Sequence, residues 1–315
     1  MKKNPLITVL MSVYNGEKFL KEAIESILNQ SFMDFEFLII NDGSIDASKE
    51  IILSYDDPRI TFIDNYKNIG IPRSVNKGIS LAKGKYIARM DADDISLPER
   101  LERQVAFMED NEDIAMCGGW AYIINFDGSI LQEAKMETDA DKIIFNLFFG
   151  NQFFHGSTVS RTDILSHLKY DINATIAQDY DLWFRMAACQ YKLVNIPAFI
   201  YKYRAHSASI SIHNHEEEGY EEQEKQVTYI VKKAIKLIMN MDIDHRSIHS
   251  LRKLYLITDE RMSVYEYIRN YFLIKKLYNG LIKKTNVSEL SKAKYNALYK
   301  DKIRRLNECF LKRKF

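Results

Sequence analysis

Cysteine is scarce in this chain. Cys117, Cys189 and Cys309, three in 315 residues, are too few and too scattered for a disulfide framework or a thiolate metal cluster. They read as small buried apolar residues in a reducing cytoplasm. Long apolar runs are missing too, and nothing approaches the roughly 18 residues of a membrane span. The run over 6–13, LITVLMSV, stops at Tyr14-Asn15-Gly16 without a small-residue cleavage site, so it reads as a buried strand and not a signal peptide. Phosphate-binding glycine loops are absent. Neither G-x-x-x-x-G-K-[ST] nor G-x-G-x-x-G occurs, which removes P-loop kinases and argues against a nicotinamide dehydrogenase. There is no internal repeat and no low-complexity linker.

A composition of 46% hydrophobic and 28% charged residues is that of a soluble globular protein, long enough for one large core or a core with an appended subdomain. The net charge of +1 conceals an asymmetry. Residues 1–219 hold about ten more acids than bases, and 220–315 about eleven more bases than acids. An acidic first part argues against a nucleic-acid substrate, which needs a basic face.

Strand and helix alternate over the first ninety residues: 6–13, 35–40, 60–64 and 84–89 read as strands, and 17–30, 47–54 and 72–82 as helices. That pattern predicts βαβ units around a parallel sheet, whose ligands bind at the carboxyl ends of the strands. Ser12–Asn15, Asn41–Ser44 and Asp91–Asp94 fall at those ends. Further on, 98–109 reads as a helix, 115–125 as a strand, 178–190 as a helix and 193–203 as a strand, with 126–175 mixed. From about 220 the texture is helical with one glycine, Gly280, and a boundary is expected near 215, dividing the chain into 1–215 and 216–315.

The stretch YIARMDADDISLPERL crowds Asp91, Asp93 and Asp94 into four positions. Helix capping does not require them, because Ser96 and Glu99 form a capping-box pattern with Pro98 in the first turn. Two carboxylates one residue apart suit Mg²⁺ or Mn²⁺ and not zinc, and so sparse a site implies a phosphorylated ligand completing the shell. Without a glycine loop, the diphosphate charge would fall to that metal, helped by Arg73 or Arg89.

Six segments in order, VLMSVYNGEKFLKEAIESILNQSF, EFLIINDGSIDAS, NIGIPRSVNKGI, GKYIARMDADDISLPERL, QDYDLWFRM and YKYRAHSASIS, resemble glycosyltransferase family 2, inverting enzymes of the GT-A fold. The resemblance covers most of residues 9–211. It implies a Rossmann-like, mostly parallel α/β sheet flanked by helices, here with a C-terminal helical extension. It also implies that Ser12, Val13, Tyr14 and Asp42 hold the nucleotide base, that Asp91 faces the sugar, and that Asp93 faces the metal. Asp179 falls at the family's catalytic base. Gln178 replaces the usual Glu before it, and Asn41 replaces an Asp often found before the base-binding one. His206, in Tyr-Arg-x-His, matches a metal or phosphate ligand. His155 and Trp183 are weaker candidates for the donor or acceptor pocket, a core aromatic being the plainer reading of Trp183, and an N-cap the plainer reading of Asp179.

The resulting expectation is a metal-dependent hexosyltransferase that moves a hexose or N-acetylhexosamine from a UDP-sugar to a hydroxyl of a bacterial cell-surface glycan, such as a lipooligosaccharide or capsule chain. A sugar-phosphate nucleotidyltransferase and a catalytically silent nucleotide-sugar-binding scaffold remain as alternatives. The basic segment 275–315 has two readings: contact with an anionic membrane surface, placing the enzyme peripherally on the inner face of the plasma membrane, or a helical subdomain with a solvated basic face.

Overall fold

The structure is a computed structural model that describes residues 4–205, 217–256, 263–284 and 288–311. Strands β1 (Ile7–Val13), β2 (Phe35–Asn41), β3 (Ile60–Asp64) and β4 (Tyr86–Asp91) alternate with helices α1 (Glu17–Leu28), α2 (Ser48–Leu53) and α3 (Ile71–Leu81). The four strands pair in parallel in the order β3-β2-β1-β4. β1 is apolar along almost its whole length because both faces of the sheet are covered. Val9 and Met11 pack with Leu20 and Ile24 of α1 on one side, and Leu10 packs with Val75 and Ile79 of α3 on the other. Gly78 permits that second contact, since a Cβ there would stand 2.2 Å from Leu10 Cδ1.

The second half of the sheet is β5 (Ile95–Ser96), β6 (Ile114–Ile124), β7 (Ile130–Ala134), β8 (Val159–Arg161) and β9 (Lys192–Arg204), with α4 (Arg100–Asp110), α5 (Ala140–Leu147), α6 (Thr162–Leu168) and α7 (Gln178–Ala188) between them. The short β8 lies antiparallel between β4 and β6, and β9 runs parallel to β6 and antiparallel to β5. The mixed segment 126–175 thus resolves into β7, α5, a 3-10 turn at His155–Ser157, β8 and α6.

The capping-box expectation at Ser96 is corrected. Ser96 pairs with Tyr201 in the β5–β9 ladder, α4 begins at Arg100, and Glu99 at its N-cap makes no side-chain capping bond. Tertiary pairing claims the segment, with Leu97 N–H donating to Ile200 C=O at 2.9 Å.

Four helices follow: α8 (Glu217–Met239), α9 (His245–Leu256), α10 (Val264–Lys284) and α11 (Glu289–Leu311). The expected boundary near 215 lies outside the described residues. On either side of it one apolar cluster is continuous, from Leu10 and Trp183 to Val231, Leu277 and Leu306. Tyr295 of α11 packs on Phe145 of α5, with ring centroids 6.4 Å apart. Among the described residues no helix is long and apolar enough to cross a membrane.

Candidate active site

The carboxyl ends of β1, β2 and β4 form one edge, as the alternation predicts. Ser12 is in register with Asp91 across the β1–β4 pair, and Val13 C=O accepts from Asp42 N–H at 2.7 Å. Tyr14 follows, half exposed. The turn at Asn15 and Gly16 is held from the 44–48 segment, with Asn15 N–H donating to Ser44 Oγ at 3.0 Å and Gly16 N–H to Ser48 Oγ at 2.9 Å.

Asp42 is buried, and its carboxylate organises the loop beyond β3. Oδ1 accepts from Asn65 Nδ2, Ile69 N–H and the Ser74 hydroxyl at 2.9, 3.1 and 2.7 Å, and Oδ2 accepts from Gly70 N–H at 3.0 Å. Gly70 has a φ of +87°, a conformation that favours glycine. Arg73 is exposed in the first turn of α3, next to Ser74.

The end of β4 carries the acids. Arg89 is buried and its guanidinium is fully engaged. Nη2 donates to Asp91 Oδ1 at 2.9 Å, Nε to His155 Nε2 at 3.3 Å, and Nη1 to Leu10 C=O. Arg89, an expected diphosphate contact, is here turned onto Asp91, His155 and the β1 backbone. Asp91 and Asp93 are partly exposed, whereas Asp94 is buried. Asp94 Oδ1 accepts from Arg204 N–H at 2.7 Å. Burial, then the charges of Asp93 and Asp91, push the Asp94 carboxyl well above the usual carboxylate range. The third aspartate is therefore structural.

Arg204 ties this turn to the rest of the sheet. Its Nε donates to Asp93 C=O at 2.9 Å, Nη1 to Phe126 C=O at 2.9 Å, and Nη2 pairs with Glu22. Gly156 lets the 3-10 turn approach, since a Cβ there would stand 2.0 Å from Tyr201 Oη and 2.7 Å from Asp91 Oδ2.

His155 is where the two halves meet. Besides the Arg89 contact, its Nε2 lies 2.8 Å from Tyr170 Oη. Burial, followed by the Arg89 charge, lowers its pKa from the ordinary 6.5, while Asp91 and Asp179 both act to raise it. Burial likewise raises the Tyr170 phenol. With the Arg89 Nε–H pointing at it, Nε2 is an acceptor, and the neutral ring carries its proton on Nδ1.

Asp179 lies in the first turn of α7, not at its N-cap, which is Ala177 with a φ of +55°. Its Oδ2 accepts from Asn151 Nδ2 at 2.8 Å. Trp183 is 1% exposed, with Phe153 and His155 at ring distances of 5.5 and 6.2 Å. The ring is packed in the core, the plainer of the two readings its sequence allowed. His206 lies outside the described residues. Asn151, Tyr170, Tyr201 and Arg204 join the cluster without having been singled out in the sequence.

The donor set at Asp91 and Asp93 is all oxygen, which fits a hard divalent cation. Among the described residues no three His, Cys, Asp or Glu side chains converge as a metal cage, so a cation here would complete its shell with substrate phosphates.

A sheet whose first four strands run parallel, with an acidic turn ending the fourth, is the arrangement of the GT-A fold of glycosyltransferases. The chain belongs to glycosyltransferase family 2, whose profile matches residues 8–168. It is 46% identical over 205 residues to an uncharacterized glycosyltransferase, MJ1057, of Methanocaldococcus jannaschii, covering 64% of this chain and 71% of the relative. An uncharacterized glycosyltransferase of Haemophilus influenzae is 30% identical over 314 residues, covering 94% of this chain and 93% of its own. The O-antigen biosynthesis glycosyltransferase WbnJ of Escherichia coli is 32% identical over 65% of this chain and 81% of its own.

The fold is shared with S. aureus TarS 1–349 in complex with UDP-GlcNAc, at a TM-score of 0.60 and 15% identity over 97% of this chain and 91% of that one. It is also shared with the mannosyltransferase PcManGT of Pyrobaculum calidifontis in complex with GDP-Man and Mn²⁺, at a TM-score of 0.53 and 13% identity over 100% and 88%. The family match sets the nucleotidyltransferase reading aside.

Proposed function

We propose that this glycosyltransferase moves a hexose or N-acetylhexosamine from a UDP-sugar to a hydroxyl of a cell-surface glycan, inverting the anomeric centre by direct displacement. The observation that carries the reading is the carboxyl edge of β1, β2 and β4, where Ser12 stands in register with Asp91 and Arg89 holds the Asp91 carboxylate at 2.9 Å. Direct displacement needs a base for the acceptor proton on one side of the sugar and charge stabilisation for the leaving diphosphate on the other.

Asp179 is the base. Asn151 holds one of its oxygens, which leaves Oδ1 to take the acceptor hydroxyl proton. Asp91, oriented by Arg89, faces the donor sugar and ribose, and Asp93 faces the metal. Asp93, with Asp91, would hold a Mg²⁺ or Mn²⁺ ion, which would supply Lewis-acid stabilisation to the departing diphosphate. The base of the nucleotide would lie at the carboxyl ends of β1 and β2, beside Ser12, Val13 and the exposed Tyr14, with Asp42 acting through the 65–74 loop that its buried carboxylate holds and Arg73 exposed at the start of α3. The complexes of TarS with UDP-GlcNAc and of PcManGT with GDP-Man and Mn²⁺ support a nucleotide-sugar donor and a divalent ion. WbnJ, named for O-antigen biosynthesis, supports a surface-glycan acceptor. A β linkage follows from an α-linked donor.

Thermal unfolding of the purified protein with nucleoside diphosphates, with and without Mn²⁺, tests the donor site, since ligand binding raises the melting temperature by mass action. A Mn²⁺-dependent shift with UDP that Asp93→Ala abolishes is the expected result. No shift with any nucleoside diphosphate would overturn the donor assignment.

A further inference from the structure

The two expectations for the basic C-terminal part divide in the structure. The apolar stripe of α11 is turned inward, with Tyr295 and Leu306 buried in the main core. α8 exposes Tyr229 and Leu237 and α11 exposes Leu290 and Leu311, but α10 gathers four exposed large apolar side chains in its first turns. Val264, Tyr265, Ile268 and Phe272 are 53, 73, 48 and 62% exposed. Lys275, Lys276, Asn279 and Lys283 continue the exposed positions toward the C-terminus of the same helix. The outer face of α10 is therefore apolar and aromatic in its first turns and basic in its last, and no acid is fully exposed on it among the described residues. Its one acid, Glu266, accepts from the Ser263 hydroxyl at 2.7 Å.

We propose that this face of α10 seats the protein on an anionic lipid surface, with the apolar side chains entering the acyl boundary and the lysines meeting the headgroups. An interfacial helix needs this combination of large apolar side chains and lysines on one side. Charge complementarity favours a lipid surface over a second copy. A second copy would set the lysines of one face against those of the other.

Asp242 and Asp244 stand near Phe272 and Lys276 on the adjoining segment. Asp242 is paired with Lys232 at 3.6 Å, and Asp244 accepts from the Ser247 amide and hydroxyl at 2.9 and 2.6 Å. Arg269 stands beside them, and exposed His245 and Arg246 follow Asp244 in the chain.

Co-sedimentation of the full chain with vesicles tests the proposal. Binding is expected to vesicles of phosphatidylcholine mixed with phosphatidylglycerol, weak binding to phosphatidylcholine alone, and loss of binding in high salt. Lys275→Gln and Lys276→Gln should each lower the partition coefficient about fivefold. Phe272→Ser combined with Ile268→Ser should remove binding while leaving the melting temperature unchanged, since both side chains are exposed. Failure to bind the anionic vesicles, equal binding by the Phe272 and Ile268 variant, or a dimer in sedimentation velocity that this variant dissociates would each overturn it. The last outcome would assign the face to a second copy.

Discussion

Asn151 donates from Nδ2 to Asp179 Oδ2 at 2.8 Å, and its own Oδ1 accepts from Phe153 N–H at 3.2 Å. The amide is thereby fixed in one orientation between the loop before the 3-10 turn and the first turn of α7. That loop is pinned in turn by Asn195, whose Nδ2 donates to Gln152 C=O at 3.0 Å. With Asp179 as base, Asn151 is a positioning residue. Asn151→Ala is expected to lower kcat about tenfold, the scale of one hydrogen bond to a charged group, with the donor KM unchanged. Asn151→Asp should also move the acidic limb of the pH–rate profile to higher pH, because a second carboxylate then faces Asp179. Steady-state kinetics across pH check both, and an unmoved limb would deny Asn151 this role.

The His155 contacts give a pH dependence of stability. Burial and then Arg89 hold its folded-state pKa below the ordinary 6.5. As pH falls, the unfolded chain takes up this proton first, so stability present above about 6.5 is lost as pH falls through the folded-state value. His155→Gln removes the titration and should flatten the decline in melting temperature between about pH 7 and pH 5. Parallel declines in parent and variant would place the titration elsewhere.

Much of the framework that positions this candidate site was legible in the sequence. Strand–helix alternation located three polar clusters at one sheet edge, and β1, β2 and β4 deliver them there. The crowding of Asp91, Asp93 and Asp94 was visible, but not that Asp94 points inward to Arg204, because one-dimensional spacing cannot distinguish a buried carboxylate from an exposed one. Ser96 misled because a strand over a hundred residues away captures it. Asn151 and Tyr170 lie in irregular segments whose sequences carry no periodicity, and only the fold brings them to His155 and Asp179.

The inward placement of Asp94 has a direct test. Asparagine keeps an oxygen for the Arg204 amide and removes a carboxylate whose charge burial and the neighbouring Asp93 and Asp91 disfavour. Asp94→Asn should therefore unfold no earlier than the parent at neutral pH. Asp94→Ala leaves the amide unpartnered and should cost about 1–3 kcal/mol. Chemical denaturation of the two variants measures the difference, and equal losses would show that the acceptor is not what matters.

At Gly156, backbone and Asp91 are close enough that one methyl group decides the geometry. A Cβ at 2.0 Å from Tyr201 Oη and 2.7 Å from Asp91 Oδ2 must displace one of them. Asp91 is on the partly exposed side and moves more easily than the buried tyrosine. Gly156→Ala is expected to weaken UDP-sugar binding about tenfold or more, a misplacement effect of the kind that small shifts produce at reacting centres. Calorimetric titration with UDP-GlcNAc against the parent measures the change, and unaltered affinity would remove Asp91 from the donor site.

The C-terminal helices share the core of the sheet domain, and this bears on where the chain can be cut. Lys233 of α8 approaches Asp171 at 3.6 Å and Asp181 at 3.4 Å, and Asp181 also holds Arg185 at 2.6 Å. Asp181 is buried, so removing α8 exposes a carboxylate pair together with the α7 surface that packs on Val227, Ile230 and Val231. Burial of a large apolar side chain contributes about 1.5–3 kcal/mol, and several such side chains on each surface would be uncovered at once. That loss is comparable with the total stability of an ordinary domain, about 5–15 kcal/mol. A fragment ending at residue 215 is therefore expected to lack a cooperative thermal transition, whereas the full chain melts as one unit. Calorimetry of the two tests this. A fragment that melts cooperatively near the parent temperature would make the helical extension a separate domain, despite its continuous core.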